Sequence, residues 1–197
     1  AAFRTRLYTL RPVLKTMRGE IKPATTDLAA ILVRDTKTAL LEFVETDERV
    51  FLFVFGKDAA KSVKVKASPS FKIFVLETTR GDLYSRLSRF NQSIASRDEA
   101  VNAQARELYD LLLKQAQPLL AGKTQLVIAP DVISWGLPFQ ALRSENDRYL
   151  IEDFSVSYTP SLTILNAVMN TRLAVGTVRP GQSLALLAVI NPTLNPD

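Results

Sequence analysis

The residue with the clearest potential for chemistry is Asp131, because its carboxylate directly follows an apolar run that is typical of a buried strand. Residues 126–142 read LVIAPDVISWGLPFQAL, so Pro130 and Asp131 end the run and an apolar, proline-bearing loop follows. Open α/β sheets bind their ligands beyond the carboxyl ends of strands. If this loop borders a site, Asp131 is its candidate substrate-binding residue.

The same loop also has a plain packing interpretation. In that interpretation Trp135, Leu137 and Phe139 close the end of the sheet, and the prolines set the path of the chain. Under either interpretation we expect Trp135 and Phe139 to be mostly buried and to anchor the loop. The residues alone leave both interpretations open.

The amino-acid composition removes several classes of chemistry. The 197 residues contain no His and no Cys, so the chain cannot assemble a Ser-His-Asp triad, a thiolate nucleophile or a His-based zinc site. Ser134 has no base that could activate it. Neither a Walker A loop nor a G-x-G-x-x-G motif is present. We therefore predict no catalytic residue, no cofactor and no metal in this chain.

The length of 197 residues suits one globular domain, or one domain with an added arm. The longest apolar runs, such as Leu184–Ile190, are far shorter than the ~20 residues of a membrane helix. The net charge of +5 includes Lys64 and Lys66, but these alternate with valines as on the wet face of an edge strand. We expect a cytoplasmic protein that binds neither nucleic acid nor membrane, and the absence of Cys fits a reducing compartment.

The first half of the chain predicts a basic helical arm followed by strands. A short helix is expected over 3–19, one or two helical turns over 25–35, and a hairpin formed by Thr38–Glu45 and Arg49–Gly56. Further strand material is expected over 62–67 and 70–77, with Pro69 as a break.

The second half alternates helices with apolar strands, which indicates an α/β fold. The predicted elements are a helix from Thr79, a longer helix from Asp98 to about Ala121, strands over 124–130, 149–160 and 183–192, and a helix that begins at Pro160 or Ser161. Apolar runs without alternation suit strands that are covered on both faces. We therefore predict a mostly parallel sheet flanked by helices, preceded by the hairpin.

Two linked motifs resemble those of the CHAT domain, a caspase-like module often found behind tetratricopeptide repeats. That family shows a strand ending in Pro-Asp and then Leu-Pro-Phe-x-Ala-Leu, which correspond here to Pro130–Asp131 and Leu137–Leu142. A strand of the type Tyr-Leu-Ile-Glu-Asp, ending in Ser-Tyr-x-Pro-Ser, follows at 149–161. The hairpin and the run LALLAVINP are also similar, so the resemblance extends over about residues 25–192.

The resemblance implies a caspase-like α/β domain related to cysteine peptidases. Active members of the family use a His and a Cys in motifs that follow the strand at 183–192, and this sequence ends at Asp197 before either motif. The expected domain is therefore incomplete and catalytically inactive alone. Asp131 is expected either to bind a basic side chain of the substrate or to fix its own loop.

Three explanations for the absence of the catalytic His and Cys stay open. The chain could be a shortened piece, a processed fragment paired with a second chain, or a non-catalytic relative that acts as an interaction module. We expect residues 1–24 to form an arm or linker and 25–197 to form the N-terminal part of the domain. Expected partners are a substrate polypeptide, the downstream half or second chain, and an upstream tetratricopeptide-repeat region.

Overall fold

The computed structural model describes residues 35–57 and 69–174, together with Thr9, Leu32 and Val33. The described residues form one mixed sheet of five strands, which confirms the α/β class. The strands are β1 (Thr38–Glu45), β2 (Val50–Lys57), β3 (Pro69–Leu76), β4 (Gln125–Ala129) and β5 (Ser155–Tyr158).

The strand order is β3-β2-β1-β4-β5. The predicted hairpin is confirmed, because β1 pairs antiparallel with β2 around a turn in which Thr46 and Arg49 exchange hydrogen bonds. β3 continues the antiparallel part. β4 pairs parallel with both β1 and β5, so the buried apolar run at 125–129 is the centre of the parallel part.

Five α-helices flank the described strands. They are α1 (Arg80–Ser96), α2 (Val101–Leu112), α3 (Gln117–Leu120), α4 (Leu150–Asp153) and α5 (Leu162–Ala174). Short 3₁₀ turns cover Lys114–Ala116, Ser134–Gly136 and Phe139–Ala141. Thr79 caps α1, and its hydroxyl accepts a hydrogen bond from the backbone N–H of Asp82.

Two helix boundaries differ from the sequence prediction. The helix expected from Asp98 to about Ala121 breaks after Leu112, passes through a 3₁₀ turn and restarts as α3. Pro118 lies in the first turn of α3, where the missing N–H would have had no partner within the helix. The break therefore explains a proline that a continuous helix could not accommodate.

The strand expected over 149–160 is also partly wrong. Residues 150–153 form α4, and only Ser155–Tyr158 are extended. The carboxylate of Glu152 accepts a hydrogen bond from the backbone N–H of Tyr149 at 2.6 Å, and Arg148 pairs with Asp153 at 2.7 Å. These local bonds stabilise a helical turn at a position where apolar content alone favoured a strand.

The sheet separates two hydrophobic clusters. The larger cluster packs α1, α2 and the loop after β4 against one face of the sheet, and Leu41, Leu52, Phe90 and Leu108 are among its buried members. The smaller one packs Leu40 and Phe55 against Leu162 of α5 and against Leu32 and Val33. The central strands are thus packed on both faces, whereas Phe71, Ile73 and Val75 of the edge strand β3 are exposed.

Several predicted elements lie outside the described residues: the helix over 3–19 apart from Thr9, the strand over 62–67, the strand over 183–192 and most of the segment over 25–35. Among the described helices, none is long and apolar enough to cross a membrane.

Candidate functional site

The carboxyl ends of β1 and β4 lie side by side, because the two strands run parallel with Glu42 opposite Ala129. Asp131 follows β4 after one residue, and Glu45 is the last residue of β1. The backbone N–H of Glu45 donates to Asp131 Oδ2 at 2.8 Å, which joins the two strand ends. The structure therefore brings Asp131 to the edge of the sheet where α/β proteins bind ligands.

The buried side chain of Glu45 holds the loop after β4 in place. Its side chain is only 4% exposed, and its two carboxylate oxygens accept hydrogen bonds from the backbone N–H groups of Ile133 and Ser134, both at 2.8 Å. The guanidinium of Arg80 also donates to the Glu45 carbonyl oxygen at 2.5 Å. A buried carboxylate that accepts two backbone N–H bonds holds the loop in a single conformation.

Asp131 and Ser134 complete the same network. Asp131 Oδ1 accepts a hydrogen bond from the N–H of Val132 at 2.9 Å, so both carboxylate oxygens contact backbone. The fully buried Ser134 hydroxyl accepts from the N–H of Asp131 and donates to the Asp131 carbonyl oxygen. Ser134 therefore closes the turn and is not exposed to solvent.

Glu42 is a further carboxylate close to this network. Burial raises its pKa, the neighbouring charge of Asp131 acts in the same direction, and a long hydrogen bond from the N–H of Leu162 opposes both. Leu162 is the first residue of α5, so Glu42 lies at the N-terminus of that helix. An anion at this position interacts favourably with the helix dipole, although burial makes its ionised form costly.

A cleft of about 470 Å³ opens beside this network, between α1 and the loop. Asn91, Trp135, Pro138, Gln140 and Tyr158 line it. Phe139 is fully buried as predicted, but the prediction for Trp135 is wrong, because Trp135 is 47% exposed. The indole lies on the wall of the cleft, where the ring of Tyr158 on the neighbouring strand supports it at a centroid distance of 6.3 Å.

Tyr158 ties β5 to the loop. Its hydroxyl donates to Gln140 Oε1 at 2.6 Å and accepts from the backbone N–H of Phe139 at 3.2 Å. Burial raises the pKa of Tyr158 further above its usual value of 10.0, so the phenol stays protonated and can donate well above neutral pH. These hydrogen bonds and the ring contact hold the aromatic wall of the cleft in place.

The side chains gathered at this strand end include carboxylates, amides and hydroxyls, and the chain has no His and no Cys to add to them. Within the described part of the chain, no group of three or more His, Cys, Asp or Glu could hold a metal ion. Sequence reasoning did not find Glu45. A signal was available, since alternation along β1 places Glu45 on the same face as the buried residues Ala39, Leu41 and Phe43.

Comparison with protein families shows that residues 102–195 match the model of the CHAT domain. The resemblance seen in the sequence motifs is thereby confirmed over these residues, which include β4, the strand-end loop and β5. The match does not extend to the hairpin, although β1 pairs directly with β4 in the same sheet. No curated protein matches the chain.

Proposed function

We propose that this chain, which matches the CHAT domain over residues 102–195, is the N-terminal, non-catalytic part of a caspase-like cysteine peptidase. The observation that carries the proposal is this match, which includes the rigid loop at the carboxyl end of β4. The chain would supply the scaffold and one wall of the substrate pocket. The thiolate and its base would come from polypeptide that follows this sequence or from a second chain.

In the proposed peptidase, this chain and the polypeptide that carries the His and Cys have separate tasks. Cysteine peptidases need a thiolate that attacks the scissile carbonyl, a His that transfers protons and a donor that stabilises the oxyanion. With no His and no Cys in its sequence, this chain cannot perform the attack or the proton transfer. What it contributes is positioning, because the buried Glu45 carboxylate fixes the loop that would border the substrate.

Asp131 is our proposed substrate-binding residue. Its two carboxylate oxygens each accept one backbone hydrogen bond, whereas an ionised carboxylate has about four acceptor sites. Acceptor capacity therefore remains for a guanidinium or ammonium group of a bound polypeptide. The loop-fixing bonds would orient the carboxylate toward that group.

The first experiment tests the division of tasks. The purified chain is incubated with fluorogenic peptides carrying Arg, Lys or Asp at the cleavage position, and it should give no turnover. Co-expression with the downstream sequence, once that is shown to carry the His and Cys motifs, should give turnover that a Cys→Ala change abolishes. Turnover by the repurified chain alone, or an inactive complex that contains both motifs, would refute the proposal.

The second experiment tests Asp131 in the active complex. Asp131→Asn keeps the side-chain shape but removes the charge, so kcat/KM for Arg or Lys substrates should fall about tenfold or more relative to a neutral substrate. The ratio of the two values is insensitive to a general loss of folded enzyme. Glu145→Gln, which changes an exposed carboxylate elsewhere, serves as the control. An unchanged ratio for Asp131→Asn would show that Asp131 fixes its own loop but does not bind the charged side chain of the substrate.

The second candidate function is a catalytically inactive, caspase-like interaction module. The exposed Trp135 in the aromatic cleft favours it, since solvent-exposed tryptophan and tyrosine are enriched at protein interfaces. The co-expression experiment separates the two functions. A downstream sequence that lacks His and Cys would decide for the interaction module.

A further inference from the structure

The cleft beside Trp135 continues into a second cavity along α1. This second cavity, of about 200 Å³, is lined by Tyr84 and Val132 among others, and it shares Asn91 and Gly136 with the first. The side-chain amide of Asn91 donates to the Gly136 carbonyl oxygen at 2.9 Å, which bridges helix and loop where the two cavities meet. Together the cavities form an elongated groove, which we call the α1 groove.

The α1 groove exposes a concentration of large apolar side chains. Tyr84 and Val132 at one end are 60% and 70% exposed, while Trp135 and Tyr158 stack at the other end with an interplanar angle of 28°. Tyr84, Ser88 and Asn91 lie on one face of α1 because they are four and then three residues apart. The α1 groove is therefore open to solvent, with the stacked rings of Trp135 and Tyr158 at one end.

The groove carries no formal charge. None of the described residues that line either cavity is Asp, Glu, Lys or Arg, although the chain as a whole contains 45 such residues. A ligand with a charged side chain would lose hydration in the groove without gaining a partner. The polar groups that are present are amides and hydroxyls, such as Gln140, whose side-chain oxygen already accepts from Tyr158. Such groups suit the backbone carbonyls of an uncharged peptide.

From these features we propose that the α1 groove binds an uncharged, proline-containing segment of a partner protein in an extended conformation. Prolines stack on exposed Trp and Tyr rings, and a polyproline II segment loses little conformational entropy on binding. Its free carbonyl groups would accept hydrogen bonds from the indole N–H of Trp135 or from the Gln140 amide. This binding goes beyond the function proposed above and requires no catalytic dyad.

The test uses the fact that Trp135 is the only tryptophan in the chain. The full chain is titrated with a capped peptide, Pro-Pro-Leu-Pro-Pro-Leu, and tryptophan emission is recorded. We expect a saturable change. Matched peptides with both leucines replaced by Glu or by Lys should bind about tenfold more weakly or less. No saturable change with the uncharged peptide, or equal affinity for the charged ones, would overturn the proposal.

Variants locate the binding site. Tyr158→Ala removes the ring that supports Trp135, and affinity should fall about tenfold or more, whereas Tyr158→Phe, which keeps the ring, should stay within about threefold. Ile151→Ala changes an exposed apolar residue on α4 that lines neither cavity, and it should leave affinity unchanged. Circular dichroism verifies that each variant is folded. Unchanged binding by folded Tyr158→Ala, or an equal loss in Ile151→Ala, would refute the assignment. Neither result depends on the outcome of the co-expression experiment.

Discussion

Phe139 and Trp135 belong to the same loop but contribute differently to stability. Phe139 is fully buried, with its ring centroid 5.3 Å from that of Phe43, whereas Trp135 lies on the cleft wall. We predict that Phe139→Ala lowers the free energy of unfolding by about 3–5 kcal/mol, because it leaves a cavity in the core. Trp135→Ala should cost about 1 kcal/mol or less. Urea unfolding followed by circular dichroism measures both, and comparable losses would contradict this distinction.

Glu42 gives a prediction that depends on pH. Its raised pKa means that the folded state favours the protonated form, so the stability gained from that proton is present below the usual value of 4.5 and lost as pH rises through the folded value. Glu42→Gln should therefore be more stable than the parent at pH 7, with an advantage that shrinks on acidification.

Thermal unfolding at several pH values between 4 and 8 checks the Glu42 prediction. Glu48→Gln removes a negative charge from the exposed β1–β2 turn and controls for the change in net charge. An advantage of Glu42→Gln that stays constant across this range, or grows toward acid, would show that burial of the carboxylate does not govern its titration.

Replacing either of two glycines near helix ends by alanine should change the stability of the protein, in opposite directions for the two positions. Gly122, which follows α3, has φ of +75°, so Gly122→Ala should destabilise the protein by about 1–2 kcal/mol through backbone strain. Gly81 lies in the first turn of α1, and an added Cβ there would meet only the Thr79 hydroxyl oxygen at 3.9 Å. Gly81→Ala should stabilise by about 0.4–1 kcal/mol. Chemical denaturation of both variants measures the two effects, and equal signs would contradict the prediction.

Elements with strong periodic patterns were predictable from the sequence. The β1–β2 hairpin has apolar residues on both sides of a polar turn, and α1 has Thr79 as a cap with Leu83, Leu87 and Phe90 on one face. The break after Leu112 was not predictable in the same way, because the apolar pattern continues through Pro118. The helical turn of α4 was also not predictable, because it depends on a side-chain hydrogen bond and an ion pair that hydropathy does not reveal.

At the scale of the whole molecule, the sequence predicts the α/β fold class better than it predicts which side chains of the candidate site are exposed or buried. The position of Asp131 follows from the strand that precedes it, whereas the placement of Trp135 on the cleft wall involves Tyr158, 23 positions away on another strand. The burial of Glu45 likewise depends on backbone donors of the loop at 133–134. Contacts between distant segments shape the cleft, and a linear pattern does not encode them directly.

The parallel pairing of β1 with β4 also has a consequence during synthesis. β1 ends at Glu45, but its partner strand begins only at Gln125, after the rest of the antiparallel part and two long helices. At ordinary translation rates the ribosome needs on the order of ten seconds to make the intervening chain. During that interval the hairpin can form, but the other edge of β1 has no β4 to pair with, and Leu40 and Leu41 lie on that strand. The nascent chain therefore passes through a stage that favours chaperone binding and premature association with neighbouring chains.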